Sequence, residues 1–265
     1  VIGDQYDSGL AADVSADQLW VALGGPDRVL KIYRTRDAGL EHRIRKHTDW
    51  VTAVEFSPDG RMLASGDRNG GLFIWEAESG QELFTLAGHK GAITSVSWRA
   101  DSAMLASASE DGTVKLWKAS DGSSLRSITA HAGGALVARF SADGKLLTGG
   151  RDNKVQLWET GGRNVRTFAF PGDLPARVAG SDDGSRIFAG DWRGRLSVWE
   201  TSTGRPLEDL DANPPPLAAR LQLGRRQLER RFLAVEGLPP VAFRRLVRFQ
   251  HTVRALHLQP QLPLL

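Results

Sequence analysis

Residues 107–117 read SASEDGTVKLW, in which a short alternating run, a turn and a second alternating run follow one another. Glu110 and Asp111 stand side by side in the turn, and the second run ends at Trp117. Adjacent carboxylates are compatible with an acid pair built for catalysis, and they are equally compatible with a turn that belongs to the architecture. The recurrence of this segment along the chain decides between these interpretations.

An aromatic residue ends the same alternating phrase five times along the chain. The five residues follow one another at steps of 42, 42, 41 and 41 residues: Tyr33, Trp75, Trp117, Trp158 and Trp199. Two further series keep a 42-residue spacing, namely His47, His89 and His131, and Phe56, Trp98 and Phe140. A fixed period of this length is typical of proteins that stack one supersecondary unit on the next.

Each unit contains four short alternating segments separated by turn residues, as in ITSVSW, MLASAS, TVKLW and SLRSITA between residues 93 and 130. A four-stranded sheet of this size cannot bury both of its faces alone, whereas sheets stacked radially around a channel bury them against one another. The sequence therefore predicts an all-β protein, a β-propeller of four-stranded antiparallel blades. About five blades are visible, over residues 1–210.

The pair Gly88–His89, followed about 28 residues later by KLW at 115–117, resembles the WD-repeat propeller family. The resemblance covers residues 10 to 210 or so, although the family's Asp after the Trp is replaced in every unit by Glu or Lys. Propellers of this family most often close with seven blades. We therefore expect the visible blades to be part of a seven-bladed ring and the chain to be a fragment, with a smaller ring closed by other means as the alternative.

The resemblance also implies a buried chain of hydrogen bonds in each blade, formed by a loop His, a strand hydroxyl, a turn Asp and the final Trp. Two sets are complete: His89, Ser107, Asp111 and Trp117, and His131, Thr148, Asp152 and Trp158. In such a chain the carboxylate accepts from the imidazole, the imidazole from the hydroxyl, and the hydroxyl from the indole N–H. An Asp-His-Ser set also occurs in hydrolases, but a nucleophile needs one exposed site with an oxyanion hole, whereas this set recurs. We predict a structural role for both sets, and neither a catalytic residue nor a metal site.

The blade that ends at Trp75 is less regular. It has His47 and Ser65, but Asn69 stands where the Asp is expected, and Asp67 lies two residues earlier.

The two outermost units depart further from the pattern. The unit that ends at Trp199 has Gly172, Ala189 and Arg193 at the three polar positions, so its polar chain is predicted to be lost. In the first unit Asp27 is kept, but Leu23 replaces the hydroxyl and Tyr33 the Trp.

Propellers commonly bind partners at the loops entering each blade and at the turns between second and third strands. Trp50 lies where the other repeats have Ala92 and Gly134, and Trp192 lies where they have charged turn residues. Aromatic and arginine residues are the usual energetic anchors of interfaces. The partner-binding candidates are therefore Trp50, Arg68, Arg151, Trp192 and Arg193. The alternative is that either Trp packs on a neighbouring loop.

The composition excludes several classes of site. With no cysteine, the chain can form neither a disulfide nor a thiolate metal site, and it has no CxxCH motif for haem. No apolar run reaches the roughly 20 residues of a membrane-spanning helix, and residues 1–10 do not resemble a signal peptide. We predict no cofactor.

A Pro-rich linker begins residues 211–265, which contain nine arginines against two glutamates from residue 217 onward. We predict a basic tail that is helical or disordered. A basic amphipathic helix can lie on an anionic membrane or a phosphate-rich partner, but basic runs are more often solvated. The segments DANPPPLAARLQ and HTDWVTAVEFSPDG resemble a subgroup of bacterial WD-repeat proteins whose propeller accompanies a c-type cytochrome domain. This resemblance implies a periplasmic or cell-envelope setting, with a cytoplasmic one as the alternative.

These observations favour a non-enzymatic scaffold that presents rigid loops to a protein partner. Two alternatives stay open: an accessory module of a redox or enzymatic cell-envelope protein, and membrane or nucleic-acid binding through the basic tail. Nucleic-acid binding is the less expected of these.

Overall fold

A computed structural model describes residues 10–210, and every regular element in this range is a β-strand. The strands form five four-stranded sheets, blades 1 to 5, and the strands of each blade lie side by side in chain order. The strands of blades 1 and 2 are β1 (Ala11–Val14), β2 (Trp20–Gly24), β3 (Leu30–Arg34), β4 (Leu40–Ile44), β5 (Val51–Phe56), β6 (Met62–Asp67), β7 (Leu72–Glu76) and β8 (Glu82–Thr85). Those of blades 3 and 4 are β9 (Ile93–Trp98), β10 (Met104–Ser109), β11 (Thr113–Lys118), β12 (Ser124–Thr129), β13 (Ala135–Phe140), β14 (Leu146–Gly150), β15 (Lys154–Trp158) and β16 (Asn164–Ala169). Those of blade 5 are β17 (Arg177–Gly180), β18 (Arg186–Gly190), β19 (Leu196–Glu200) and β20 (Pro206–Leu210).

The antiparallel register of blade 3 places the polar and aromatic positions on one face. Leu105 on β10 lies opposite Trp117 on β11. Ser107 follows Leu105 by two residues, and side chains two apart in a strand point to the same face of the sheet. Ser107 and Trp117 are therefore diagonal neighbours on that face, which is close enough for an indole to reach a hydroxyl.

The apolar core lies between consecutive blades. One cluster joins Leu72 and Ile74 of blade 2 to Ile93, Leu105 and Trp117 of blade 3, and all five side chains are buried. Equivalent clusters join blades 1 and 2, blades 3 and 4, and blades 4 and 5. Blades 2 to 4 are thus covered on both faces by their neighbours, because a single sheet of this size has too little apolar surface to form a core alone.

Hydrogen bonds between first strands also tie consecutive blades together. The Thr52 hydroxyl of β5 donates to the Ile93 carbonyl of β9 at 2.5 Å. The Thr94 hydroxyl of β9 donates in the same way to the Ala135 carbonyl of β13 at 2.9 Å. The first strands of blades 2 to 4 therefore lie side by side along one edge of the sheets.

The predicted all-β architecture of four-stranded antiparallel blades is confirmed. In the aromatic series at the end of the first strand, Phe56 and Trp98 are buried, whereas Phe140 is only partly buried. Closure of the ring with seven blades stays a prediction. The predicted linker and basic tail at 211–265 lie outside the described residues.

Candidate partner-binding face

The four residues grouped by sequence in blade 3 are joined by hydrogen bonds. Trp117 Nε1 donates to Ser107 Oγ at 2.8 Å, and His89 Nε2 lies 2.8 Å from the same oxygen. His89 Nδ1 lies 3.0 Å from Oδ2 of Asp111. Because the carboxylate accepts only, Nδ1 carries the proton, and Nε2 accepts from the serine hydroxyl. Ser107 is fully buried, so its hydroxyl is out of reach of any substrate.

Burial and hydrogen bonding set the protonation of this chain. Burial lowers the pKa of His89, against the opposing effect of Asp111, and so favours the neutral imidazole. Burial alone would raise the pKa of Asp111. Donors from Thr113, Lys90 and His89 instead hold that pKa well below its usual range. Asp111 also accepts the Lys90 backbone N–H at 2.9 Å and therefore fastens the entering loop to the turn.

Blade 4 has the same arrangement with a threonine in place of the serine. Trp158 Nε1 donates to Thr148 Oγ1 at 2.9 Å, and His131 Nε2 lies 2.8 Å from that oxygen. His131 Nδ1 lies 2.8 Å from Oδ1 of Asp152, and burial lowers the pKa of His131. The structure thus brings together the members of both sets, while their contribution to stability stays a prediction.

Blade 2 also has a complete hydrogen-bonded chain, but its carboxylate comes from a position that the sequence analysis did not assign to the chain. Asp67, at the end of β6 and fully buried, places Oδ2 at 3.0 Å from His47 Nδ1. His47 Nε2 lies 2.7 Å from Ser65 Oγ, which accepts from Trp75 Nε1 at 2.7 Å. Asn69, which occupies the turn position expected to hold the acid, donates its side-chain amide to Thr48 at 3.2 Å.

Blade 5 keeps a carboxylate although it lacks the other polar groups. Asp191 stands at the position equivalent to Asp67, and its Oδ2 accepts the Asp173 backbone N–H at 3.1 Å. Its Oδ1 accepts the backbone N–H groups of Arg193 and Arg195 at 2.9 and 3.0 Å. The chain of imidazole, hydroxyl and indole is absent from blade 5, while Asp191 keeps a link from the entering loop to the turn. Sequence reasoning missed this acid, although its spacing from Asp67 by three repeats was the signal.

In blade 5 an aromatic ring lies where blades 2 to 4 have the imidazole of a histidine. Phe170 is buried and lies 6.4 Å from Trp199, measured between ring centroids. A β-carbon at Gly172 would lie 2.5 Å from Cε1 of Phe170 and 2.7 Å from Oδ2 of Asp191. Gly172 therefore leaves space for the ring and the carboxylate together.

The loops that enter the blades and the turns between second and third strands lie along one edge of the sheets, here called the loop face. Trp50 and Arg68 meet on this face in blade 2. The Arg68 N–H donates to the Trp50 carbonyl at 2.9 Å, and the guanidinium lies 5.0 Å from the indole ring. The Trp50 side chain remains 40% exposed, so a cation and an aromatic ring are presented together.

The other candidates of the loop face have separate neighbours. Trp192 is 69% exposed, and the Arg177 guanidinium lies 5.9 Å from its ring. Arg151 forms an ion pair with Glu110 of blade 3 at 2.8 Å. Arg193 lies 3.5 Å from the Asp173 carboxylate. The structure brings Trp50 and Arg68 into one pair and places Trp192 in the turn of a different blade.

A charged pair along the first strands was not predicted. Glu55 of β5 accepts from Arg139 of β13 at 2.7 Å, across the intervening β9, where the equivalent residue is Ser97. Burial raises the pKa of Glu55 to about 7, opposed by Arg139 and aided by Asp13. The signal in the sequence was the 42-residue spacing that places Asp13, Glu55, Ser97 and Arg139 at one register.

Residues 10–210 contain no group of three or more His, Asp or Glu side chains arranged to hold a metal ion. In the same range no helix has the length and apolar character needed to cross a membrane.

Comparison with protein families identifies the repeats. Three segments, 39–76, 80–118 and 122–159, match the family model "WD domain, G-beta repeat". They include the first three strands of blades 2, 3 and 4, the blades with complete polar chains. These segments are similar to WD repeats, and the four-stranded blades have the fold of a WD-repeat propeller.

Relatives and solved structures agree with this class. The chain is 34% identical over 68 residues to small ribosomal subunit protein RACK1 of Caenorhabditis elegans, a match that covers 26% of this chain and 21% of that protein. It is 40% identical over 77 residues to an uncharacterized WD repeat-containing protein of Synechocystis sp., covering 28% of this chain and 21% of the relative. Among solved structures, the RRP9 WD40 repeats align with a TM-score of 0.71 at 24% identity, over 78% of this chain and 64% of the other. The chain thus spans about two thirds of that structure and about a fifth of these relatives.

Proposed function

We propose that this chain is a non-enzymatic scaffold whose loop face binds a protein partner through Trp50, Arg68, Arg151, Trp192 and Arg193. The observation that carries the proposal is the exposure of two tryptophans, 40% and 69%, at loop-face positions where the polar chains do not need an indole. Large aromatic side chains left in water are costly unless a partner covers them. Flanking guanidiniums add the residue type that is enriched with Trp in binding hot spots.

The geometry of the blades supports this function by making the face rigid. Asp67, Asp111 and Asp191 each bind the backbone of an entering loop, so that loops are held before a partner arrives. Preorganised loops lose little conformational entropy on binding. RACK1 of Caenorhabditis elegans is a small ribosomal subunit protein by name, which is consistent with a scaffold working within a larger assembly.

The test compares tryptophans with equally exposed apolar residues. Partners captured by the full chain are purified, and their affinities are then measured by direct titration. Trp50→Ala combined with Trp192→Ala should weaken binding by at least about tenfold, as expected for hot-spot aromatics. The matched control is Leu83→Ala with Leu125→Ala, because these outer-strand leucines are 42% and 44% exposed. Equal binding by the wild type and the tryptophan variant would refute the proposal.

The roles of the tail and of the cell envelope stay predictions. If residues 211–265 bind DNA or anionic vesicles, their deletion should abolish a binding that weakens with salt. If the chain is an accessory module beside a c-type cytochrome domain, the whole protein should contain the CxxCH motif that this chain lacks.

A further inference from the structure

A cleft of about 260 Å³ opens between the turn of blade 1 and the loop that enters blade 2. It is lined by Asp27, Arg28, Val29, Arg43, Arg45 and His47. Three of these six residues are arginines, and all three are exposed. This basic cleft is separate from the Trp50 and Trp192 candidates, because neither tryptophan lines it.

The charge of the basic cleft is not compensated by its own lining. The Asp27 carboxylate forms an ion pair with Lys31 at 2.9 Å and accepts the Val29 N–H at 3.2 Å. Within residues 10–210, no carboxylate lies within ion-pair distance of Arg28, Arg43 or Arg45. His47 adds no free ring nitrogen, since Asp67 and Ser65 use both. Three arginines therefore line the cleft without an acidic partner for their guanidiniums from the described part of the chain.

The backbone at Arg28 provides an independent observation. Its φ is +62°, in the left-handed region that is costly for a residue with a β-carbon. The equivalent turn positions of blades 2, 3 and 5 hold Gly70, Gly112 and Gly194, also with positive φ. In blade 4 the position is Asn153, the other residue type that tolerates this conformation. Blade 1 thus has an arginine at a turn position where the other four blades have glycine or asparagine, and this arginine is one of the residues that line the cleft.

We propose that the basic cleft binds a phosphate monoester carried by a partner molecule. Guanidiniums bind phosphate oxygens through two parallel hydrogen bonds, and such charge-assisted bonds are strong. A phosphate monoester carries close to two negative charges at neutral pH. As a ligand it therefore balances three uncompensated cations better than a carboxylate, which carries one. The volume of about 260 Å³ admits a phosphate and its attached group but is below the size typical of whole-cofactor sites.

A phosphorylated side chain fits the cleft better than a nucleic acid does. A nucleic acid presents one charge per phosphodiester along an extended backbone and is bound by stripes of cations and by stacking surfaces. The three arginines instead converge on one small cleft. The inference goes beyond the proposed scaffold function, since it concerns different residues of the loop face and a different ligand chemistry.

The experiment titrates the full chain with phenyl phosphate at fixed ionic strength and follows arginine side-chain N–H signals by NMR. Wild type should bind saturably, with the largest shifts at Arg28, Arg43 and Arg45. Arg43→Gln and Arg28→Gly should each weaken binding by about tenfold or more, because each removes a charge-assisted contact. Arg28→Gly should not disrupt the fold, because blades 2, 3 and 5 have glycine at the equivalent position, and the variant should have a higher Tm than the wild type.

Controls separate the site from its alternatives. Arg126→Gln removes an exposed outer-strand arginine of blade 3 and should leave phenyl phosphate binding unchanged. Trp50→Ala with Trp192→Ala should also leave it unchanged, so the two proposals fail separately. Equal affinity in the Arg43→Gln and Arg28→Gly variants would show that the anion binds elsewhere and would overturn the inference. Competition by a single-stranded RNA 12-mer that outmatches phenyl phosphate, with loss in the same variants, would assign the cleft to nucleic acid instead.

Discussion

Blades 3 and 5 differ in the side chains that surround the final tryptophan. In blade 3 the indole of Trp117 donates to Ser107, which also contacts the imidazole of His89. In blade 5 the hydroxyl position is occupied by Ala189, and the ring of Phe170 lies beside Trp199 instead of an imidazole. Both tryptophans are nevertheless buried, at 2% and 4% exposure.

The comparison shows which polar groups depend on one another. A serine hydroxyl and an imidazole satisfy each other, and either alone would be an unpaired polar group in a buried place. They are therefore replaced together, by an alanine and an apolar ring. Both blades have a carboxylate near the turn, and in both it accepts a backbone N–H group of the entering loop, a partner that does not depend on the imidazole. Asp111 binds the N–H of Lys90, and Asp191 binds that of Asp173.

The largest expected effect comes from breaking the pair in blade 3. Ser107→Ala leaves the indole N–H of Trp117 and Nε2 of His89 without their common partner, so it should lower the free energy of unfolding by about 2–4 kcal/mol. The measurement is equilibrium denaturation in urea. The control is Ser127→Ala, because this exposed hydroxyl accepts only from Lys115 and its loss should cost less than about 0.5 kcal/mol.

A double variant of blade 3 tests this dependence by placing an apolar ring and an alanine at positions 89 and 107, although the ring of blade 5 comes from Phe170, two residues before the equivalent position. His89→Phe added to Ser107→Ala removes the second polar group, so the pair should cost less than the sum of its single variants. Strict additivity of the two costs would contradict the interdependence of hydroxyl and imidazole.

A second prediction compares the two carboxylates. Asp111→Ala should cost about 2–3 kcal/mol, because it removes partners of both an imidazole and a loop N–H. Asp191→Ala should cost about 1–2 kcal/mol, because only backbone N–H groups lose their acceptor, and these can turn to water at a half-buried position. Thermal melts of both variants give the ranking. A larger loss of stability for Asp191→Ala than for Asp111→Ala would mean that the hydrogen bond to the imidazole does not add to the stabilisation by Asp111.

Much of this arrangement could be predicted from the 42-residue period. The period aligned the strands of the five blades. In blades 3 and 4 the four residues of the polar chain come together within each blade, because equivalent residues of a repeat occupy equivalent places. The carboxylates of blades 2 and 5 were not assigned, because the repeat pattern places the Asp of the polar chain in the turn between the second and third strands. Asp67 and Asp191 stand two residues earlier, at or just after the end of the second strand, and reach the same loop from there.

Contacts that skip a blade are harder to predict. Glu55 and Arg139 are separated by two periods, so the spacing places them at one register but not in contact. They meet because the intervening residue is Ser97, whose side chain is too short to separate two long ones. The basic cleft was missed for a related reason. Arg43 and Arg45 are two residues apart in the sequence, but only folding brings Arg28 beside them.

The smallest expected effect concerns pH and follows from the imidazole that blade 5 lacks. Burial lowers the pKa of His89 below its ordinary value of 6.5 in the folded chain, so the unfolded chain takes up a proton that the folded chain does not. Stability should therefore fall as the pH drops below about 6.5. The raised pKa of Glu55 has the opposite sign, because that carboxyl holds its proton in the folded chain up to about pH 7.

The contribution of the imidazole is isolated by difference. Between pH 6.5 and 5, the variant with His89→Phe and Ser107→Ala should lose less stability than the wild type, by at most about 1.4 kcal/mol per pH unit. Glu55 is present in both proteins and cancels. Leu83→Ala, which removes no titratable group and lies outside the polar chains, serves as the control and should keep the wild-type slope. An unchanged slope in the double variant would show that the polar chain of blade 3 does not hold its imidazole neutral, and the contrast with blade 5 would then be one of shape rather than of charge.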